Sequence, residues 1–188
     1  MTGPGVGHNG GPTLERGRGW RRYAWKRARA DLLPTLPLEV ARRRVKRARE
    51  LGLNYKAYAG IRAATGRDIV ALLFSDNALR LTRDARIPIE RAEVVQSVRS
   101  ADRIALVHAP LTPDMVLNAN QGLDRAGSAP SISHSWGETR QRVLNVLEKT
   151  PADGVLVIGE TRLEREWFEA GGLAGYLTAD RFFGRLSG

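Results

Sequence analysis

Three short, unbroken apolar runs constrain this chain most: residues 69–74 (IVALLF), 103–109 (RIALVHA) and 154–158 (GVLVI). Each has the length of a strand, and none alternates polar with apolar, so each predicts a strand buried on both faces, although a run this short also fits a buried helix. Helical patterns lie between them. Pro88 opens a segment to about residue 99, and Thr112-Pro113 is an N-cap and first turn for a helix to about residue 125, with Gly127 as its stop. Residues 135–149 place Val143, Leu144, Val146 and Leu147 at helical spacing, and Thr161 caps a short helix ending at Gly171-Gly172. Residues 78–82 read as a strand returning after the turn Ser75-Asp76-Asn77, and residues 173–183 as a final helix. Strands alternating with helices predict an α/β body, residues 67–188, around a partly parallel sheet.

Charge divides the chain unevenly. Residues 1–70 contain 16 Lys and Arg against 5 Asp and Glu, a net of +11, whereas residues 71–188 contain 14 against 15, a net of −1. A basic front on a neutral body implies an extended polyanion as partner. Arginine supplies most of the charge, and its planar fork suits phosphate and guanine contacts. The chain has no cysteine, which excludes disulfides, thiolate metal sites and a cysteine nucleophile. No apolar stretch has the length of a membrane span or a secretory signal, so the expectation is a cytoplasmic protein without a membrane partner.

Residues 1–19 are glycine-rich, with little to bury, and are expected to be a disordered tail. Within them GHNGGP resembles a short N-terminal peptide of alphaproteobacterial proteins often encoded near phage genes. Residues 20–66 are expected to be a basic helical region. Trp20, Tyr23, Ala24 and Ala28 share one face of a first helix. Pro37 then opens a second, with Leu38, Ala41, Val45 and Ala48 as its apolar stripe and Arg42, Arg43, Arg44, Lys46, Arg47 and Arg49 on the other faces. Such dense like charge repels itself unless an anion neutralises it.

Residues 44–63 (RVKRARELGLNYKAYAGIRA) scan as two helices hinged at Gly52. Ala48 sits at a close approach, Gly52 supplies a positive φ, and Leu51, Leu53, Tyr58 and Ile61 are spaced to fill a small core. This stretch resembles the helix-turn-helix of DNA-binding proteins, with Arg47 standing where that pattern has an apolar residue. The resemblance implies a recognition helix from about residue 55 to 64 that presents Asn54, Tyr55, Lys56, Ala59 and Arg62 to a major groove.

In the second half, His108, Thr112, Asp114, His134 and Glu160 are expected near the carboxyl edge of the sheet, if the strands ending at His108 and Ile158 are parallel neighbours. Two histidines and two carboxylates there suit acid–base chemistry or a divalent metal. Capping explains several of these residues equally well, since Ser135 with Glu138 and Thr161 with Glu164 both fit the S/T-x-x-E box. No dinucleotide fingerprint, P-loop, nucleophile elbow or HExxH motif is present, and no cofactor is implied. The leading expectation is a DNA-binding regulatory or accessory protein, with DNA preferred over RNA and the α/β body sensing a ligand, dimerising or holding a protein partner. A small α/β enzyme acting on a phosphorylated or nucleic-acid substrate at the His108/His134/Glu160 edge is the alternative from another class, and a phage-associated structural binding protein is a third.

Overall fold

The computed structural model describes residues 37–184. The expected tail and first helix, residues 1–33, lie outside them. The chain divides into a short unit ending at Val40 and a compact unit beginning at Ala41. Of the first, only residues 37–40 are described, as the start of a helix. The described elements are α1 (Leu38–Glu50), α2 (Tyr55–Thr65), β1 (Ala71–Ser75), α3 (Asp76–Leu79), α4 (Ile89–Ser97), β2 (Asp102–Val107), α5 (Pro113–Ala119), β3 (Arg125–Ser128), α6 (Trp136–Leu147), β4 (Val155–Gly159), α7 (Arg162–Gly171), β5 (Gly175–Thr178) and α8 (Ala179–Phe183). A 3-10 turn (Ala152–Gly154) leads into β4.

The three apolar runs become β1, β2 and β4, the centre of an α/β fold. Five strands form one sheet in the order β3-β2-β1-β4-β5, and every pairing is parallel. From β1 the chain moves outward to β2 and β3, then returns past β1 to β4 and β5. The direction of winding therefore reverses between β1 and β4, where a doubly wound sheet opens a crevice at its carboxyl edge. The strands expected to be neighbours, β2 and β4, have β1 between them.

Alternating side chains feed two cores. Leu72, Phe74, Ala105, Val107, Leu156 and Ile158 pack on one face with Ala48, Leu51, Leu53, Tyr58, Val95, Val116 and Phe182. Ala71, Leu73, Ile104, Leu106, Val155 and Val157 pack on the other with Val143, Leu147 and Trp167 from α6 and α7. The expected boundary between residues 66 and 67 corresponds to no break in packing. Leu51, Leu53 and Tyr58 share a core with the central strands, and Ile61 packs against it.

Three expected elements differ. Residues 76–79 form α3 in place of a returning strand, because Ser75 Oγ accepts from the Ala78 amide at 3.0 Å and both sides of β1 are already occupied. The helix expected to reach residue 125 ends at Ala119. There the Asn120 side chain donates to the carbonyls of Val116 and Ala85 and accepts from the Ile87 amide, so it draws the chain aside and frees residues 125–128 to become β3. The expected final helix is interrupted in the same way: Gly175–Thr178 pairs with β4, and only Ala179–Phe183 is helical.

Candidate nucleic-acid interface and carboxyl-edge cluster

Gly52, at φ 68°, turns α1 into α2. Asn54 caps α2, its Oδ1 accepting from the Ala57 amide at 2.7 Å. At about 100° per residue, Arg42, Arg43, Lys46 and Arg49 fall within an arc of roughly 120° on α1, opposite buried Ala48. All four are exposed. Lys46 lies 4.0 Å from Glu50, and its side chain is 80% exposed, so that pair contributes little. Arg44 is half-buried, with its Nε shielded from solvent.

Two of the expected anion-binding residues are committed elsewhere. Arg47 donates from Nε to Asp68 Oδ2 at 3.0 Å and from Nη2 to the carbonyls of Ile69 at 2.7 Å and Ser100 at 3.0 Å. Arg62 lies 3.6 Å from Asp68 and 3.4 Å from the Tyr58 hydroxyl, which itself donates to Asp68 at 2.8 Å. Burial first, and then the hydrogen bond to Asp68, push the Tyr58 hydroxyl pKa above its ordinary value. Asp68 thus ties α1 and α2 to the entry of β1. Lys56 remains exposed at the start of α2.

At the carboxyl edge the polar groups serve one another. His108 follows β2, and its Nδ1 lies 2.9 Å from Asp76 Oδ1. The ring also bonds the Pro130 backbone, and this contact, behind the Asp76 bond and against burial, helps hold the imidazole pKa above its ordinary value. Burial opposes ionisation of Asp76, but hydrogen bonds from the His108 side chain and backbone outweigh it and hold the carboxyl below its usual range. Trp167 lies beside the imidazole, with ring centroids 5.9 Å apart.

Glu164, 1% exposed, fills the beginning of α7. Its Oε2 accepts from the amides of Glu160 at 2.5 Å and Thr161 at 2.8 Å, while Oε1 accepts from Asn77 Nδ2 at 2.7 Å. A carboxylate of the chain therefore occupies the place at which this helix start would meet an anionic ligand. The capping box of α6 repeats the device with Ser135 and Glu138.

No family model, curated protein sequence or solved structure matches the chain.

His108 and Glu160 share the carboxyl edge, since all strands run parallel. Glu160 is exposed, as is Asp114 in the first turn of α5, beside the cap residue Thr112. His134 Nδ1 accepts from the Ser131 amide at 2.9 Å within the loop that also carries Pro130. Among the described residues, no three His, Cys, Asp or Glu side chains converge as a metal-binding group. No described helix is long and apolar enough to cross a membrane. The cluster's principal members, Asp76, Asn77 and Glu164, look in the sequence like an ordinary turn and a capping acid. Only their placement beside the central strands brings them together.

Proposed function

We propose that the protein binds nucleic acid through the outward arc of α1, with the α/β body as the rigid platform behind it. The observation that carries this reading is that Arg43, Lys46 and Arg49 project from one exposed arc, while Arg47, which would crowd it, is turned inward by Asp68. Phosphate contact from such an arc is independent of sequence. Of the expected base-reading residues, Arg62 is engaged with Asp68 and the Asn54 carbonyl oxygen caps α2, leaving Lys56 and Tyr55 exposed. This favours an accessory protein that grips the backbone over a regulator that reads a defined site. Arginine-rich chemistry keeps DNA as the preferred partner, and partnering or ligand sensing by the α/β body belongs to the same proposal.

The enzymatic alternative has weaker support, because Asp76, His108 and Glu164 spend their hydrogen-bonding capacity inside the protein. A gel-shift titration with random-sequence duplex at several salt concentrations tests the reading. Affinity should fall steeply with salt, and Arg43→Glu, Lys46→Glu and Arg49→Glu should each flatten the log–log slope by about one. Absence of any complex at low salt removes the proposal.

A further inference from the structure

A groove of about 410 Å³ runs between α2 and β5, lined by Asn54, Lys56, Ala57, Gly60, Ile61, Tyr176, Leu177 and Arg181. Its size falls in the ordinary range for small-ligand sites. Leu177 belongs to the core on the α2 side, whereas Tyr176 packs against the opposite core and sends its hydroxyl to the Thr161 carbonyl at 3.2 Å. Tyr176 therefore offers the groove its backbone, and the floor consists of Ala57, Gly60, Ile61 and Leu177. A Cβ at Gly60 would meet nothing within 4 Å, so the helix surface there is flat and open.

The rim has one sign of charge. Lys56 and Arg181 border the groove, no carboxylate lines it, and neither cation is ion-paired to a described residue. Asn54 uses its oxygen to cap α2, which leaves its amide nitrogen as a donor. A flat apolar floor, two cations at the rim and one directed donor suit a planar heteroaromatic ring that carries a phosphate. We propose that this groove takes one unpaired nucleotide of a single-stranded nucleic acid: the base on the Gly60 surface, its phosphate between Lys56 and Arg181, and a base-edge acceptor facing Asn54. The inference rests on the nucleic-acid reading above and specifies what is bound. A base stacked inside a duplex cannot enter the groove, so the ligand is single-stranded DNA or RNA.

Fluorescence anisotropy with labelled DNA and RNA single strands and a duplex of the same sequence, at about 100 mM salt, tests this. The single strands should bind more tightly than the duplex, and the stronger of the two identifies the sugar. Gly60→Leu should fill the groove without disturbing the fold, as thermal melting can check. It should weaken single-strand binding about tenfold, the loss expected when roughly 60 Å² of base face is no longer buried on the apolar floor, and leave duplex binding unchanged. Lys56→Glu and Arg181→Glu should weaken the single strands as well. Unchanged single-strand affinity in Gly60→Leu and in both charge reversals overturns the proposal, as does a preference for duplex. Displacement of polyglutamate, but not of a single strand, by the Gly60→Leu change would assign the groove to an acidic peptide and also overturn it. Failure of every nucleic acid to bind would instead remove the underlying reading.

Discussion

Arg47 and Asp68 are joined across 21 positions of sequence, with Nε 3.0 Å from Oδ2. Their pairing lets an arginine occupy a place where two helices pack on a sheet. The guanidinium finds two carboxylates, Asp68 and, at 3.5 Å, Glu50, and three backbone carbonyls, those of Ile69, Arg99 and Ser100. The side chain is only 17% exposed, so its aliphatic stem covers apolar surface as it reaches them.

From this pairing we expect Asp68→Ala to destabilise the fold by about 1–3 kcal/mol, because it strands donors on Arg47 and on the Tyr58 hydroxyl. Arg47→Ala should cost a similar amount, and the double variant less than the sum of the two. Urea denaturation of the four proteins measures this cycle, and simple additivity would show that the two side chains are not coupled. The same variants separate structure from binding. Arg47→Ala should leave the salt slope for nucleic acid unchanged, whereas Lys46→Ala should flatten it.

The His108–Asp76 pair predicts how stability responds to pH. The folded imidazole has a raised pKa, chiefly through its bond to Asp76. Its stabilisation is therefore complete below the unfolded value of about 6.5 and is lost as pH rises through the higher folded value. Asp76 has a lowered pKa, so its contribution is present above the unfolded value of about 3.9 and is lost as pH falls through the folded one. Around the imidazole, Asp76 and, more weakly, Glu164 supply the negative charge, and both favour the protonated ring. Thermal melting across pH should give a plateau between these limits. His108→Gln should remove the alkaline-side decline, and an unchanged decline in that variant would place its origin elsewhere.

Glu164 and Glu138 occupy matching capping boxes in different surroundings. Glu164 is buried and also accepts from Asn77, whereas Glu138 is exposed. Replacing Glu164 with Ala leaves two amides and an Asn side chain without an acceptor beneath the carboxyl edge, a loss of about 2–4 kcal/mol. Glu138→Ala should have a distinctly smaller effect, since water replaces the lost acceptor. Equal losses in urea denaturation would mean that burial adds nothing to the cap.

Much of this architecture is legible in the residues, and what is not has local causes. Strands β1, β2 and β4 announce themselves because central parallel strands must be apolar on both faces, and the boxes at Ser135 and Thr161 mark helix starts through short-range hydrogen bonds. Strand β3 reads RAGS, without an apolar run, because an edge strand has one neighbour and Arg125 can leave it for the Leu147 carbonyl, Thr150 and Asp102. Strand β5 hides in a stretch with helical spacing, where pairing with β4 overrides local preference. At the candidate sites, the exposed arc of α1 follows from periodicity alone. The inward turn of Arg47 does not, because Asp68, Arg99 and Ser100 come from outside the helix. The apolar residue missing from the helix-turn-helix pattern at that position was the one available sign.

Two glycines give predictions of opposite sign. A Cβ at Gly60 meets nothing, and the residue lies inside α2, so Gly60→Ala should stabilise the protein by about 0.5–1 kcal/mol through helix propensity. At Gly159, where β4 ends, a Cβ would stand 2.7 Å from Tyr176 Cε2 and 3.0 Å from Glu164 Oε2. The backbone passes so close to both side chains that Gly159→Ala must displace the aromatic ring or the carboxylate that caps α7, at a cost of about 1–3 kcal/mol. Thermal and urea unfolding of the two variants should move in opposite directions. If Gly159→Ala were neutral, the Glu164 carboxylate would have to hold its amide contacts after shifting, and the close approach of Tyr176 and Glu164 to the Gly159 backbone would carry no energetic weight.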